Sequence, residues 1–208
     1  MGAAGGIRDR FRAQMLGEIK EIALTQLAEG GAQALSVSAI AKQLGVSGPA
    51  LYRYYAGRDA LLTELILDAY ADLTRALATA EPDLTATTAS FRAWATTQPH
   101  RYRLLFAAPL PGYDAHDDRL VAASQKAMEV LLTRVAPARD EPSAELTAQL
   151  EAWASDRGLT GAPPARALSA MTLWSRMHGL ITLEIEGNYA SMGIDPGELF
   201  AREIRSLA

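Results

Sequence analysis

Cysteine is absent from the 208 residues. Disulfides, Cys-ligated zinc and thiol catalysis are thereby excluded. Histidine is scarce: His100, His116 and His178 stand far apart, without metal-ligand spacing. No apolar run approaches the roughly 18 residues that a membrane span needs. The start, Met1–Gly6, is small and reads as flexible; it lacks the basic-then-apolar layout of a secretory leader, so a cytoplasmic location is expected. β-Branched residues are sparse and no stretch alternates apolar and polar side chains for long, which argues against a sheet. Catalytic signatures are missing too: there is no Gly-x-Ser-x-Gly, no phosphate-cradling glycine loop and no His-Glu-x-x-His. Paired acids such as Asp117-Asp118 and Glu184/Glu186 have no partner base at a convincing spacing and read as solvated faces. Neither an enzyme nor a cofactor is expected.

What is present points to helices. Apolar residues make up 49% of the chain, enough to bury a core, and charged residues an ordinary 21%. Phe11, Met15, Ile19, Ala23 and Leu27 recur every four residues and form one stripe of a helix over about 8–29, which Gly30-Gly31 ends. Short helices follow over about 37–44 and 48–54, then a long one over about 58–80, broken at Glu81-Pro82. Further helices are predicted over about 84–97, 99–107, 116–135, 142–157, 164–187 and 195–207. Gln98-Pro99, Pro109-Leu110-Pro111-Gly112, Pro137, Gly158 to Pro164 and Gly187 to Pro196 separate them. An all-α fold in two parts follows, 1–62 and 63–208, with the 58–80 helix as the link.

Charge is unevenly spread. The net charge is −4. Residues 1–62 carry seven bases (Arg8, Arg10, Arg12, Lys20, Lys42, Arg53, Arg58) and five acids (Asp9, Glu18, Glu21, Glu29, Asp59), a net of +2; the remainder carries 13 bases and 19 acids, a net of −6. A mildly basic first part on an acidic body suits a first domain that meets phosphate.

The segment Ser36–Tyr55 fills each slot that two short helices around a tight turn require. Ser36 can cap the first helix. Ile40 and Leu44 give it a buried face, and small Ala41 lets the second helix approach. Gly45 supplies the positive φ of the turn. Val46 and Leu51 fill the wedge, Ser47 caps the second helix, and Pro49 is tolerated in its first turn. The polar remainder faces outward: Arg53 can donate two hydrogen bonds to guanine, and Tyr52 and Tyr54 can meet phosphate or a thymine methyl. Ser47 and the Gly48 backbone are placed for a phosphate, as is Arg58, while Tyr55 reads as core. A plain helical hairpin with surface aromatics is the alternative.

The same segment resembles the TetR family of regulators over about residues 8–62. The matching positions are Ile19 and Ala23, the Gly31 turn, Ser36-Val37, Ile40-Ala41, Leu44-Gly45-Val46-Ser47, Leu51-Tyr52-Arg53-Tyr54-Tyr55 and Arg58-Asp59-Ala60-Leu61-Leu62. The resemblance implies contacts to double-stranded operator DNA from Ser36, Ser47, Gly48, Pro49, Tyr52, Arg53, Tyr54 and Arg58. Ser38 stands where many members carry a base-contacting arginine, so base reading is expected to rest mainly on Arg53. Tyr55 replaces the commoner phenylalanine.

The C-terminal part carries a second pattern. Trp174-Ser175-Arg176-Met177-His178-Gly179, continuing to Asp195-Pro196-Gly197-Glu198-Leu199-Phe200, looks like the end of the regulatory domain in the TetR subgroup named for Trp-His-Gly. Gln98–Phe106 fits that subgroup as well. The resemblance implies a homodimer held by the last two long helices, with Leu173, Gly179, Leu180, Leu183, Leu199 and Phe200 as candidates for the seam. It also implies an unidentified small-molecule effector. Phe91, Trp94, Tyr102, Phe106, Met128, Trp153, Met171, Trp174 and Met177 are the large, adaptable side chains that would line an apolar cavity, with His178, Arg176 and Arg103 as candidate polar handles. Each of these has a plain reading as core. An all-helical small-molecule enzyme and an interaction scaffold without DNA binding are the rival functions.

Overall fold

The computed structural model describes residues 3–107, 113–114, 117–159 and 162–207, with side chains from Gly6 onward. Those residues form α-helices and no strand. The helices are α1 (Ala3–Gly30), α2 (Val37–Gln43), α3 (Gly48–Leu51), α4 (Arg58–Thr79), α5 (Leu84–Thr97), α6 (Pro99–Phe106), α7 (Asp118–Leu132), α8 (Ala144–Asp156), α9 (Pro164–Ile185), α10 (Asn188–Met192) and α11 (Pro196–Arg205). The separator Pro109–Gly112, together with His116, lies outside the described residues.

The chain divides into two compact units, one of residues 1–69 with 100–115, the other of 70–99 with 116–208. The division falls inside α4, the helix predicted to link the two parts. In the first unit Ile19, Ala23 and Leu27 of α1 are buried, as their spacing predicts, with Leu35, Val37, Ile40, Ala41, Leu51, Tyr55, Leu61, Leu62 and Leu65. Burying each of the larger aliphatic side chains contributes about 1.5–3 kcal/mol. The stripe does not stay buried along all of α1: Phe11 is 68% exposed. The helix also starts earlier than expected, because Ala3–Gly6, read as flexible, form its opening turns. At the other end Gly31 takes φ 67° and its N–H reaches the Leu27 carbonyl at 2.9 Å. A short 3₁₀ turn, Ala32–Ala34, leads on to α2.

In the second unit α9 packs against α5, α7, α8, α10 and α11. Its buried side chains Ala167, Ala170, Leu173, Met177 and Ile181 recur at three- and four-residue steps. The two alanines keep the side that meets neighbouring helices thin. Capping residues start the surrounding helices. Asp83 accepts from Ala86 N at 2.8 Å, Asp117 from Arg119 N at 2.8 Å, Ser143 from Leu146 N at 3.2 Å and Asp195 from Gly197 N at 2.7 Å. Helix α10 lies where a connector was expected. It is a single short element bracketed by Gly187 and Gly193, both left-handed.

Candidate nucleic-acid interface

The Ser36 hydroxyl caps α2 by accepting from Ala39 N at 3.3 Å. Its own N–H donates to Gln26 Oε1 at 2.9 Å, which ties the start of α2 to α1. Gln26 was not singled out in the sequence; a glutamine beside a buried stripe carries little signal by itself. Helix α2 ends in a Schellman arrangement, with Gly45 N to Lys42 O at 3.2 Å and Val46 N to Ala41 O at 3.0 Å. Gly45 holds φ at 68°, where a side chain would be strained. This turn sets the crossing of α2 and α3.

Ser47 takes the N-cap position of α3, but its hydroxyl makes no capping bond. The reason lies in the next residues: Pro49 has no N–H, and Ala50 N already reaches the Ser47 carbonyl at 2.9 Å. The hydroxyl therefore stays outward rather than capping as expected. Helix α3 is also shorter than the expected 48–54. Its last turn tightens, with Tyr54 N donating to Leu51 O at 2.8 Å. Leu51 is buried while Tyr52, 55% exposed, and Arg53 project outward. Ser38 and Pro49 are exposed, and Gly48 is half-buried. Tyr54 is half-buried with the Arg12 guanidinium 5.5 Å from its ring centre. Tyr55 is core, as expected; burial, then the charges of Glu64 and Asp68, push its phenol up to about 12.

Arg58 departs from expectation. Its Nε donates to the Leu35 carbonyl at 3.1 Å and its Nη2 to the Ala32 carbonyl at 2.7 Å. Both acceptors lie in the connector between α1 and α2, whose carbonyls lack full helical partners. The side chain is thus a tie within the unit rather than an arm extended toward phosphate.

The expected cavity residues separate into groups. In the second unit Phe91, Trp94, Trp174 and His178 cluster. Phe91 lies 6.3 Å from Trp94, 5.7 Å from Trp174 and 5.5 Å from His178, and Trp174 meets His178 edge-on at 4.3 Å. Burial pulls the His178 imidazole down to about 4, so it is neutral near pH 7. Trp94 Nε1 donates to Asp72 of α4 at 3.1 Å, and Gln98 Nε2 reaches the same carboxylate oxygen at 3.1 Å. Met177 is fully buried, and Met128 and Met171 are half-buried. Trp153 lies on α8 with the Arg157 guanidinium 5.6 Å from its ring. Tyr102 and Phe106 belong to the first unit, where their rings pair at 5.1 Å. Arg176, a candidate handle, instead pairs with Glu203 of α11 at 2.7 Å. The exposed Arg103 belongs to the first unit, whereas His178 belongs to the second.

Two of the six seam candidates are corrected. Leu173 and Phe200 are buried within the chain's own second unit. Apolar spacing marks a buried side chain without saying whose core buries it. Gly179 and Leu183 are exposed, the latter by 43%, and Leu180 and Leu199 are half-buried. Met192 and Ile194, passed over in the sequence, are exposed apolar residues shortly beyond α9.

Residues 19–65 match the model for bacterial regulatory proteins of the tetR family, and residues 84–207 match a tetracyclin repressor-like C-terminal domain. The HTH-type transcriptional regulators Mb1846 of Mycobacterium bovis and Rv1816 of Mycobacterium tuberculosis are each 33% identical to this chain over 221 residues. The alignments cover 97% of this chain and 94% of each relative. The crystal structure of SCO4313 superposes with a TM-score of 0.84 at 40% identity, over 96% of this chain and 97% of the other. A protein from Rhodococcus sp. RHA1 shares the fold, with a TM-score of 0.66 at 20% identity over 93% of each chain. Among the described residues no helix is long and apolar enough to cross a membrane. With a helix-turn-helix at 37–51 and matches over both of its parts, the chain belongs to the TetR family of transcriptional regulators, a family of DNA-binding proteins and not of enzymes.

Proposed function

We propose that this regulator is a ligand-responsive repressor that binds a palindromic operator as a homodimer and releases it when a small, largely apolar molecule binds. One observation carries the reading. Ser47, Pro49, Tyr52 and Arg53 are exposed along one short stretch while Val37, Ile40 and Leu51 behind them are buried. The fold has no internal use for these outward side chains, and their chemistry suits a major groove. Arg53 reads guanine edges, while Tyr52, Ser47 and the Gly48 backbone hold phosphates. Ser36, Ser38, Pro49 and Tyr54 complete the contact strip. In domain terms residues 1–62 bind DNA, 63–208 sense and dimerise, and the 58–80 helix links them.

A single short reading helix meets only a few base pairs. Two copies held about 34 Å apart read a palindrome. Gly179, Leu180, Leu183 and Leu199 form the seam, with Met192 and Ile194 beside them. The Phe91–Trp94–Trp174–His178 cluster is the effector region, in keeping with the Trp-His-Gly subgroup. Its Trp94–Asp72 hydrogen bond joins it to α4. The effector favours a conformer whose two reading helices are wrongly spaced, and the coupling equals its differential affinity for the two states.

Electrophoretic retardation of a random-sequence duplex at two salt concentrations tests the foundation. A complex whose affinity falls steeply with salt supports the reading. No retarded complex at low salt returns the chain to a non-DNA role.

A further inference from the structure

Helix α1 begins at Ala3, well before residue 19, where the match to the tetR-family model begins. Its opening turns carry Arg8, Arg10 and Arg12 against a single acid, Asp9, and all four side chains are exposed. Arg10 folds back on its own helix, its Nε donating to the Gly6 carbonyl at 3.1 Å. At 100° per residue Arg8 and Arg12 fall on the same flank of α1 as the buried Ile19 and Ala23. That flank faces the helix-turn-helix, and the contact is direct: the Arg12 guanidinium stands 5.5 Å from the centre of the Tyr54 ring. Among the described residues no carboxylate pairs with Arg8 or Arg12. The stacking pre-orients Arg12 while leaving its donors outward. Tyr54 follows Arg53 in the chain, so this positive charge continues the outward strip of Ser47, Tyr52 and Arg53.

We propose that Arg8 and Arg12, the latter with the Tyr54 ring as its platform, are a second phosphate-gripping element, through which α1 holds the DNA backbone alongside the helix-turn-helix. The proposal rests on the DNA-binding reading above and extends it to residues outside the family match. Arg8 and Arg12 contact phosphates and carry no base information, and Tyr54 positions Arg12.

The test is fluorescence anisotropy of the full chain on a random-sequence duplex across a salt series, for wild type, R8A/R12A, R8Q and R12K. The expected result for R8A/R12A is a slope of log affinity against log salt that is shallower by about 0.9 per arginine removed per bound chain, with affinity about tenfold or more lower. R12K keeps the wild-type slope because it keeps the charge. R8Q, altered only on the exposed opening turns, loses one such step with an unchanged melting temperature, and it carries the test should the double variant fold poorly. Wild-type slopes in R8A/R12A and R8Q overturn the proposal while leaving the helix-turn-helix reading intact. Absence of binding by the wild type at low salt sinks that reading and this one with it.

Discussion

Arg58 donates two charge-assisted hydrogen bonds to the carbonyls of Leu35 and Ala32. Bonds of this kind are worth about 1.5–3 kcal/mol each, and losing them would free the connector between α1 and α2. Arg58→Ala is therefore expected to lower stability by about 2 kcal/mol or more, read as a shift in the urea midpoint. A side chain that only reached for phosphate would leave that midpoint unchanged. His178 gives a second expectation at this scale. Its unfolded imidazole titrates near 6.5 and its buried one near 4. The unfolded chain therefore gains a proton first as pH falls, and stability declines between those values. At about 1.36 kcal/mol per unit the penalty reaches roughly 3 kcal/mol by pH 4. His178→Phe removes this term, so urea midpoints of wild type and variant, compared at pH 7 and pH 4.5, should converge or cross on acidification. An equal acid loss in both proteins would show that His178 is not the group responsible. Serine at position 47 carries a different lesson: the residue type fitted a cap, but the neighbouring proline removed the donor that a cap satisfies.

Most helices were legible from periodicity and punctuation, because a stripe at three- and four-residue steps ending at Gly or Pro has one geometric solution. Helix α10 was hidden because a single turn between two glycines has too few residues to show a period. The early start of α1 was hidden because Ala and Gly carry no pattern. The helix-turn-helix was the most legible part of the candidate interface, since each of its slots demands a particular residue type. Long-range side-chain pairs were not legible, because nothing in sequence spacing brings position 92 to position 184. Yet Arg92 of α5 makes a two-pronged pair with Glu184 of α9, at 2.8 and 2.6 Å, and lies 5.9 Å from the Phe200 ring of α11. Donating these two hydrogen bonds to Glu184 raises the arginine's already high pKa. A double-mutant cycle with Arg92→Met and Glu184→Gln is expected to show coupling of about 1–2 kcal/mol in thermal unfolding. Additive effects would mean that α5, α9 and α11 are held by apolar packing alone.

For the molecule as a whole, the split of charge, a net +2 over residues 1–62 and −6 beyond, is consistent with the proposed split of tasks. The sequence could not separate residues buried in one chain from residues buried between two. Leu173 and Phe200 proved to be the former, while Leu183 stays outward at the end of α9. Leu183→Glu is expected to shift the protein from dimer to monomer in sedimentation velocity with an unchanged helical spectrum, because a charge in an apolar seam is left unpaired. An unchanged dimer would move the seam elsewhere.

Base reading is the task proposed for the outward strip ending in Arg53. Its most direct measurement compares wild type and Arg53→Ala on two duplexes, an operator selected from a random library by the wild type and an unselected one. Arg53→Ala is expected to lose about 1–3 kcal/mol on the operator, with little change on the unselected duplex, so that the specificity ratio falls. An unchanged ratio between the two duplexes would contradict it.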